Sequence, residues 1–97
     1  MITTKQRAYL RSLANTTESL YQIGKNGITA TVIETLSAAL ESRELIKITV
    51  LEACPDTAKT IMTSLMDVLS CEAVQTIGRK VVIYRKSENT PTIVLPK

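Results

Sequence analysis

The chain has 97 residues, 44% hydrophobic and 22% charged, the composition of one soluble globular domain over residues 1–97, which leaves no room for an enzyme built around an interdomain cleft. Histidine, phenylalanine and tryptophan are absent and tyrosine occurs three times, so imidazole catalysis and the common zinc catalytic centres are excluded and the core must be Ile, Leu and Val. The net charge of +3 divides into +3 over residues 1–17, −4 over 18–72 and +4 over 73–97; if folding brings both ends to one side, they form a basic face apart from an acidic one.

The first helix is announced by Thr3-Thr4-Lys5-Gln6, a capping box in which Thr3 caps and Gln6 reaches back. Tyr9, Leu10, Leu13 and Ala14 then recur at helical spacing, with Arg7 and Arg11 lined up beside that apolar stripe. The polar stretch Asn15 to Ser19 breaks the pattern, and Leu20 to Ile23 reads as a short strand ending at Gly24. A second helix starts near Thr29, which reads as its N-cap, and the apolar positions Val32, Ile33, Leu36, Ala39 and Leu40 define one buried face. It ends around Arg43-Glu44.

Leu45 to Leu51 is rich in β-branched residues and alternates at Lys47 and Thr49, the pattern of a strand. Pro55-Asp56 opens a third helix running to about Leu69, with Ala58, Ile61, Met62, Leu65, Met66 and Leu69 inward. Ala73–Ile77 and Lys80–Arg85 are strands joined at Gly78-Arg79, a pair suited to a type II′ hairpin turn that leaves Arg79 and Lys80 at or near an exposed tip. Pro91 and Pro96 bracket an extended tail that packs on the surface or adds a short edge strand. The order is α-β-α-β-α-β-β. Helical crossovers favour parallel neighbours among the first three strands, and the hairpin turns the last one antiparallel, giving a mixed four-stranded sheet packed with helices in an α/β fold.

No run of apolar residues approaches the roughly 20 needed to cross a bilayer, and the first residues lack a secretory signal, which places the protein in the cytoplasm without a membrane partner. Cys54 and Cys71 form no closely spaced ligand pair, so no metal or other cofactor is expected and the thiols read as small hydrophobes. Neither has an Arg six residues on, as a cysteine phosphatase requires. No catalytic residue and no small-molecule substrate is assigned.

Gly24-Lys25-Asn26-Gly27 is the local feature whose chemistry goes beyond folding. Two glycines permit positive φ and close approach of the backbone, Lys25 adds charge, Asn26 adds hydrogen bonds, and the loop leads into a helix N-terminus, where free N–H groups favour phosphate. The spacing matches neither the nucleotide P-loop nor the dinucleotide fingerprint. A Gly-x-x-Gly loop clamps an RNA backbone in KH domains, where it links two helices. Alone, the tetrapeptide is equally an ordinary strand-to-helix turn. Three scattered tyrosines supply no stacking cluster for bases, which leaves recognition of backbone and shape, with strong salt dependence.

Thr4-Lys5-Gln6-Arg7 with Leu10-Arg11, Gln22 to Gly27, Ala39-Leu40-Glu41 with Arg43 to Lys47, Val74-Gln75 with Ile77-Gly78-Arg79, and Tyr84-Arg85 together resemble the CRM domain along nearly the full chain, in its bacterial stand-alone YhbY or YqeI form. The resemblance implies a fold similar to the C-terminal domain of translation initiation factor three and a non-catalytic RNA-binding protein of ribosome assembly. It also implies ribosomal RNA in large-subunit precursors as partner. Carried onto this chain, the RNA-binding loop is Gly24, Lys25, Asn26 and Gly27 and the basic surface is Lys5, Arg7 and Arg11. Charge placement adds Arg79, Lys80 and Arg85. Asn15 to Ser19 departs from the family's histidine and proline before the first strand and sets Glu18 near the expected anion surface.

Two other readings fit parts of the pattern. A small phosphate-handling enzyme would use Lys25 to hold a phosphoryl group, with Glu52, Asp56 or another carboxylate as base. A protein-interaction module would dock through the acidic middle of the chain.

Overall fold

A computed structural model describes residues 2–97, with helices α1 (Thr4–Ala14), α2 (Ala30–Arg43) and α3 (Ala58–Leu69) and strands β1 (Ser19–Ile23), β2 (Leu45–Val50), β3 (Glu72–Ile77) and β4 (Lys80–Tyr84). The chain order is the expected one. All three helices begin at a threonine whose hydroxyl accepts from a backbone N–H in the first turn: Thr3 from Gln6, Thr29 from Val32 and Thr57 from Thr60. At α1 the box closes, because the Gln6 side chain accepts from the Thr3 N–H at 2.9 Å. The third helix starts later than Pro55-Asp56 indicated, since Thr57 supplies the cap and the two preceding residues form a bend ahead of it.

The sheet order is β1-β2-β4-β3. β1 and β2 are parallel, but β4 lies between β2 and β3 and is antiparallel to both. The sequence expectation of parallel neighbours therefore holds for β1 and β2 only. The α3 crossover carries β3 two places beyond β2, and the hairpin folds β4 back into the gap. At that hairpin Gly78 has φ +55° and Arg79 is not left-handed, which is the type II′ arrangement.

Alternation in the strands sends side chains to two cores. Ile23, Ile46, Ile48, Val50, Val81 and Ile83 pack under α2 and α3, while Leu45, Val74, Val82 and Tyr84 pack under α1 with Leu10 and Ala14. Cys54 and Cys71 are buried free thiols in the larger core, and burial pushes the Cys71 thiol up to about 11. Met66 and Tyr9, expected inward, are 42% and 39% exposed, because each stands about 100° round its helix from a buried leucine.

The C-terminal tail adds no strand. Two glutamates hold it instead. Glu44, fully buried at the α2 C-cap, accepts from the Ser87 N–H at 2.8 Å, the Thr92 N–H at 2.6 Å and the Ile93 N–H at 2.8 Å, and also from the Thr92 hydroxyl. Glu41 accepts from the Ser87 hydroxyl and the N–H groups of Glu88 and Asn89. The anchored tail then lays Ile93 and Leu95 against the α1 core.

Candidate nucleic-acid interface

The loop 24–27 sits at the C-terminal ends of β1 and β2. The Gly27 N–H donates to the Gly24 carbonyl at 2.9 Å and closes a turn in which Lys25 and Asn26 are exposed. The glycines differ. Gly27 is buried with φ +65°, a conformation that side chains resist. Gly24 has an ordinary φ, and a Cβ there would meet Leu51 Cδ1 at 3.7 Å, a normal contact. Positive φ is thus needed at one end of the loop, and the partly exposed end at Gly24 is where backbone lies open to an approaching ligand.

The β3–β4 hairpin reaches the same edge: the Val50 N–H donates to the Arg79 carbonyl at 2.7 Å, and the Leu51 N–H to the Ile23 carbonyl at 2.9 Å. Lys25, Asn26, Arg79 and Lys80 therefore share one end of the sheet. That edge is mixed in sign. Glu52 lies 4.0 Å from Arg79 with both side chains largely exposed, so the pair is weak and screened. The Asp56 carboxylate lies beside Gly27, 4.0 Å from where a Cβ would stand.

Helix α1 crosses the opposite end of the sheet, from β3, where the Ile2 N–H meets Glu72 and Arg7 Nε donates to the Ala73 carbonyl at 2.9 Å, to the start of β1. The bulge between Ala73 and Gln75 on this edge strand accompanies the carbonyl that Arg7 takes. Gln6 and Leu13, two turns apart, form the flank of α1 that meets the tail: Gln6 donates to the Pro96 carbonyl, and Leu13 packs in the cluster with Ile93 and Leu95. Arg7 and Arg11, across the buried Leu10–Ala14 line, form the other flank. That flank looks along the sheet toward Lys80 and the loop. Lys5 is exposed on the outer side of α1.

Between α1 and the loop edge, half of this sheet face is uncovered. Register places Lys47 beside Val82, Thr49 beside Gln22 and Lys80, and Gln75 beside Val82. Gln22, Lys47, Thr49, Gln75 and Lys80 are partly or fully exposed, Val82 is buried under α1, and the intervening residues Ile48, Val50 and Val81 are buried on the other face. Thr49 Oγ1 lies 2.6 Å from Ser19 Oγ. Of the two basic segments, Arg7 and Arg11 from the first and Arg79 and Lys80 from the last come to this side, with Lys47 beside them, while Arg85 and Lys86 lie on the α2/α3 side. Sequence reading took the Lys47 and Thr49 alternation as a strand signal and not as a site, although two polar residues spaced two apart in an aliphatic strand mark a face left bare.

Arg85 does not belong to this surface. It follows β4 at the far end of the sheet on the α2/α3 side, where its guanidinium donates to the Leu69 carbonyl at 3.1 Å, the Ser37 carbonyl at 2.9 Å and the Ser37 hydroxyl. The expected place of Arg85 on the basic surface therefore does not hold: charge alone cannot tell a solvated arginine from one that satisfies helix carbonyls. Glu18 is exposed just before β1, in a cavity of about 520 Å³ that Arg43, Lys47 and Ile93 also line.

The chain belongs to the CRS1 / YhbY (CRM) domain family, which matches residues 2–85. It is 38% identical over 96 residues to the probable RNA-binding protein YqeI of Bacillus subtilis (strain 168), covering 99% of this chain and 100% of that protein. It is 35% identical over 96 residues to an RNA-binding protein of Haemophilus influenzae, covering 99% of this chain and 96% of the relative. The solution structure of the hypothetical protein SAV1595 from Staphylococcus aureus, a candidate RNA-binding protein, superposes with a TM-score of 0.82 at 44% identity, covering 99% and 100% of the two chains.

Proposed function

We propose that this protein is a non-catalytic RNA-binding protein of the cytoplasm that contacts the RNA backbone through Gly24, Lys25, Asn26 and Gly27 and through the basic surface of Lys5, Arg7, Arg11, Arg79 and Lys80. Its partner is ribosomal RNA in precursors of the large subunit, where it assists assembly. One observation carries the reading: a closed glycine turn with exposed Lys25 and Asn26 shares an edge with the Arg79 hairpin tip, next to a sheet face bordered by the Arg7 and Arg11 flank of α1. The relatives bearing RNA-binding names support the ligand class. The ribosomal target comes from the family resemblance.

A salt series of binding to large-subunit ribosomal RNA tests it. Neutralising phosphates releases counterions, so affinity falls steeply with salt, and Lys25→Gln lowers the log-log slope by about one unit. An unchanged slope removes Lys25 from the interface, and absence of binding in low salt rejects the function.

A further inference from the structure

We propose that the uncovered half of the α1-side sheet face is itself a binding surface for double-helical RNA, with Lys47 at its centre; this rests on the RNA-binding reading and deepens it. The polar part of the surface is Gln22 on β1, Lys47 and Thr49 on β2, Lys80 on β4 and Gln75 on β3, with the exposed Ile77 of β3 beside Lys80, and it is bordered by Arg11 on the flank of α1 that faces away from the tail.

Charge decides the ligand class. Among these five sheet residues two are cationic and none is acidic; the acids lie at the borders, with Glu18 in the cavity that Lys47 also lines and Glu52 and Asp56 on the loop edge. The sheet face is therefore the part of this end with the cleaner positive potential, and a polyanion gains more by lying across it than by touching the edge alone.

The aromatic residues decide between paired and unpaired RNA. A sheet that binds single strands stacks bases on aromatic side chains. Here Tyr84 is buried under α1, and Tyr21 packs against the α2/α3 core on the other face. Tyr9 lies three residues after Gln6 and four before Leu13, so it falls on the tail flank of the helix. No tyrosine reaches the open half-face. What remains is lysine for phosphate and amide and hydroxyl groups for phosphate and 2′-hydroxyl, the chemistry that recognises an A-form duplex by shape across its shallow minor groove.

The test uses the full chain with two probes, an RNA hairpin with a stem of about 16 base pairs and an unpaired RNA of equal length. Binding is followed by fluorescence anisotropy over a salt series, and lysine acetylation rates are read by mass spectrometry with and without each RNA. Lys59 on α3 and Lys86 on the α2/α3 side serve as internal controls. The expected result is tighter binding of the hairpin, with Lys47 and Lys80 acetylated about fivefold more slowly in its presence and the control lysines unchanged; Lys47→Gln lowers the salt slope by about one. The protection is read on the unaltered protein and does not depend on how the variant folds. Hairpin binding that protects Lys25 but leaves Lys47 at its free rate overturns the sheet surface while leaving RNA binding in place. Preference for the unpaired probe does the same. Failure to bind either probe in low salt overturns the RNA-binding reading and this inference with it.

Discussion

Gly27 and Gly24 have different physical reasons to be glycine, and the difference separates folding from binding. Gly27 holds φ +65° in a buried turn, so Gly27→Ala costs roughly 1–2 kcal/mol of stability in chemical denaturation. Gly24→Ala adds a methyl at an ordinary 3.7 Å from Leu51 and leaves stability within about 0.5 kcal/mol. A loss of RNA affinity in Gly24→Ala therefore reports backbone approach, whereas the same loss in Gly27→Ala does not. Glu44 also has a positive φ, +66°, without being glycine, as does Ser70 at +53°. Burial pushes its carboxyl up, but the N–H groups of Ile93, Ser87 and Thr92 and the Thr92 hydroxyl outweigh that and hold it below the ordinary carboxylate range. A depressed folded-state value means the carboxylate stabilises the fold above the unfolded value, and that stabilisation is lost as pH falls through the folded one. Unfolding followed against pH is expected to show this acid loss in the wild type and a shallower one in Glu44→Gln, which at neutral pH is less stable by about 1–3 kcal/mol.

At the scale of elements, sequence signals were most legible where a single local cause acts. The threonine caps of α1 and α2, the hairpin turn and the alternation of β2 all stand as read, because hydroxyl capping, the positive φ of Gly78 and strand pleating need no distant partner. The tail was not legible as an anchored loop, since its partners Glu41 and Glu44 lie more than 40 residues away in the chain. Arg85 failed for a similar reason. It joins β4 to α2 and α3 by satisfying the Leu69 and Ser37 carbonyls, and its neighbours in sequence give no hint of that. Arg85→Met is expected to lower stability by about 1–3 kcal/mol, because buried or half-buried carbonyls lose charged donors. Its salt slope for RNA should stay at the wild-type value; a slope lower by one unit would return Arg85 to the interface.

For the whole molecule, the candidate site was partly legible. Lys25, Asn26, Arg79 and Lys80 do meet at one edge, and Arg7 and Arg11 flank the face that Lys80 shares. Lys47 was missed because membership of a face depends on which half of the sheet α1 covers, a tertiary fact without a local signature. The strand order was also beyond reach. Crossover rules favour parallel neighbours, yet nothing local states that the last strand enters between two earlier ones.

That entry has a consequence during synthesis. Chains are made from the N-terminus, and β4, which pairs with both β2 and β3, is the last strand to emerge. Until then the nascent polypeptide carries β2 with one bare hydrogen-bonding side and β3 with no partner at all, the state in which strands recruit foreign chains. A translation product halted before Lys80 would keep only the β1–β2 pair and leave β3 without a partner, so three strands wait on the fourth and the sheet closes in one step when β4 arrives.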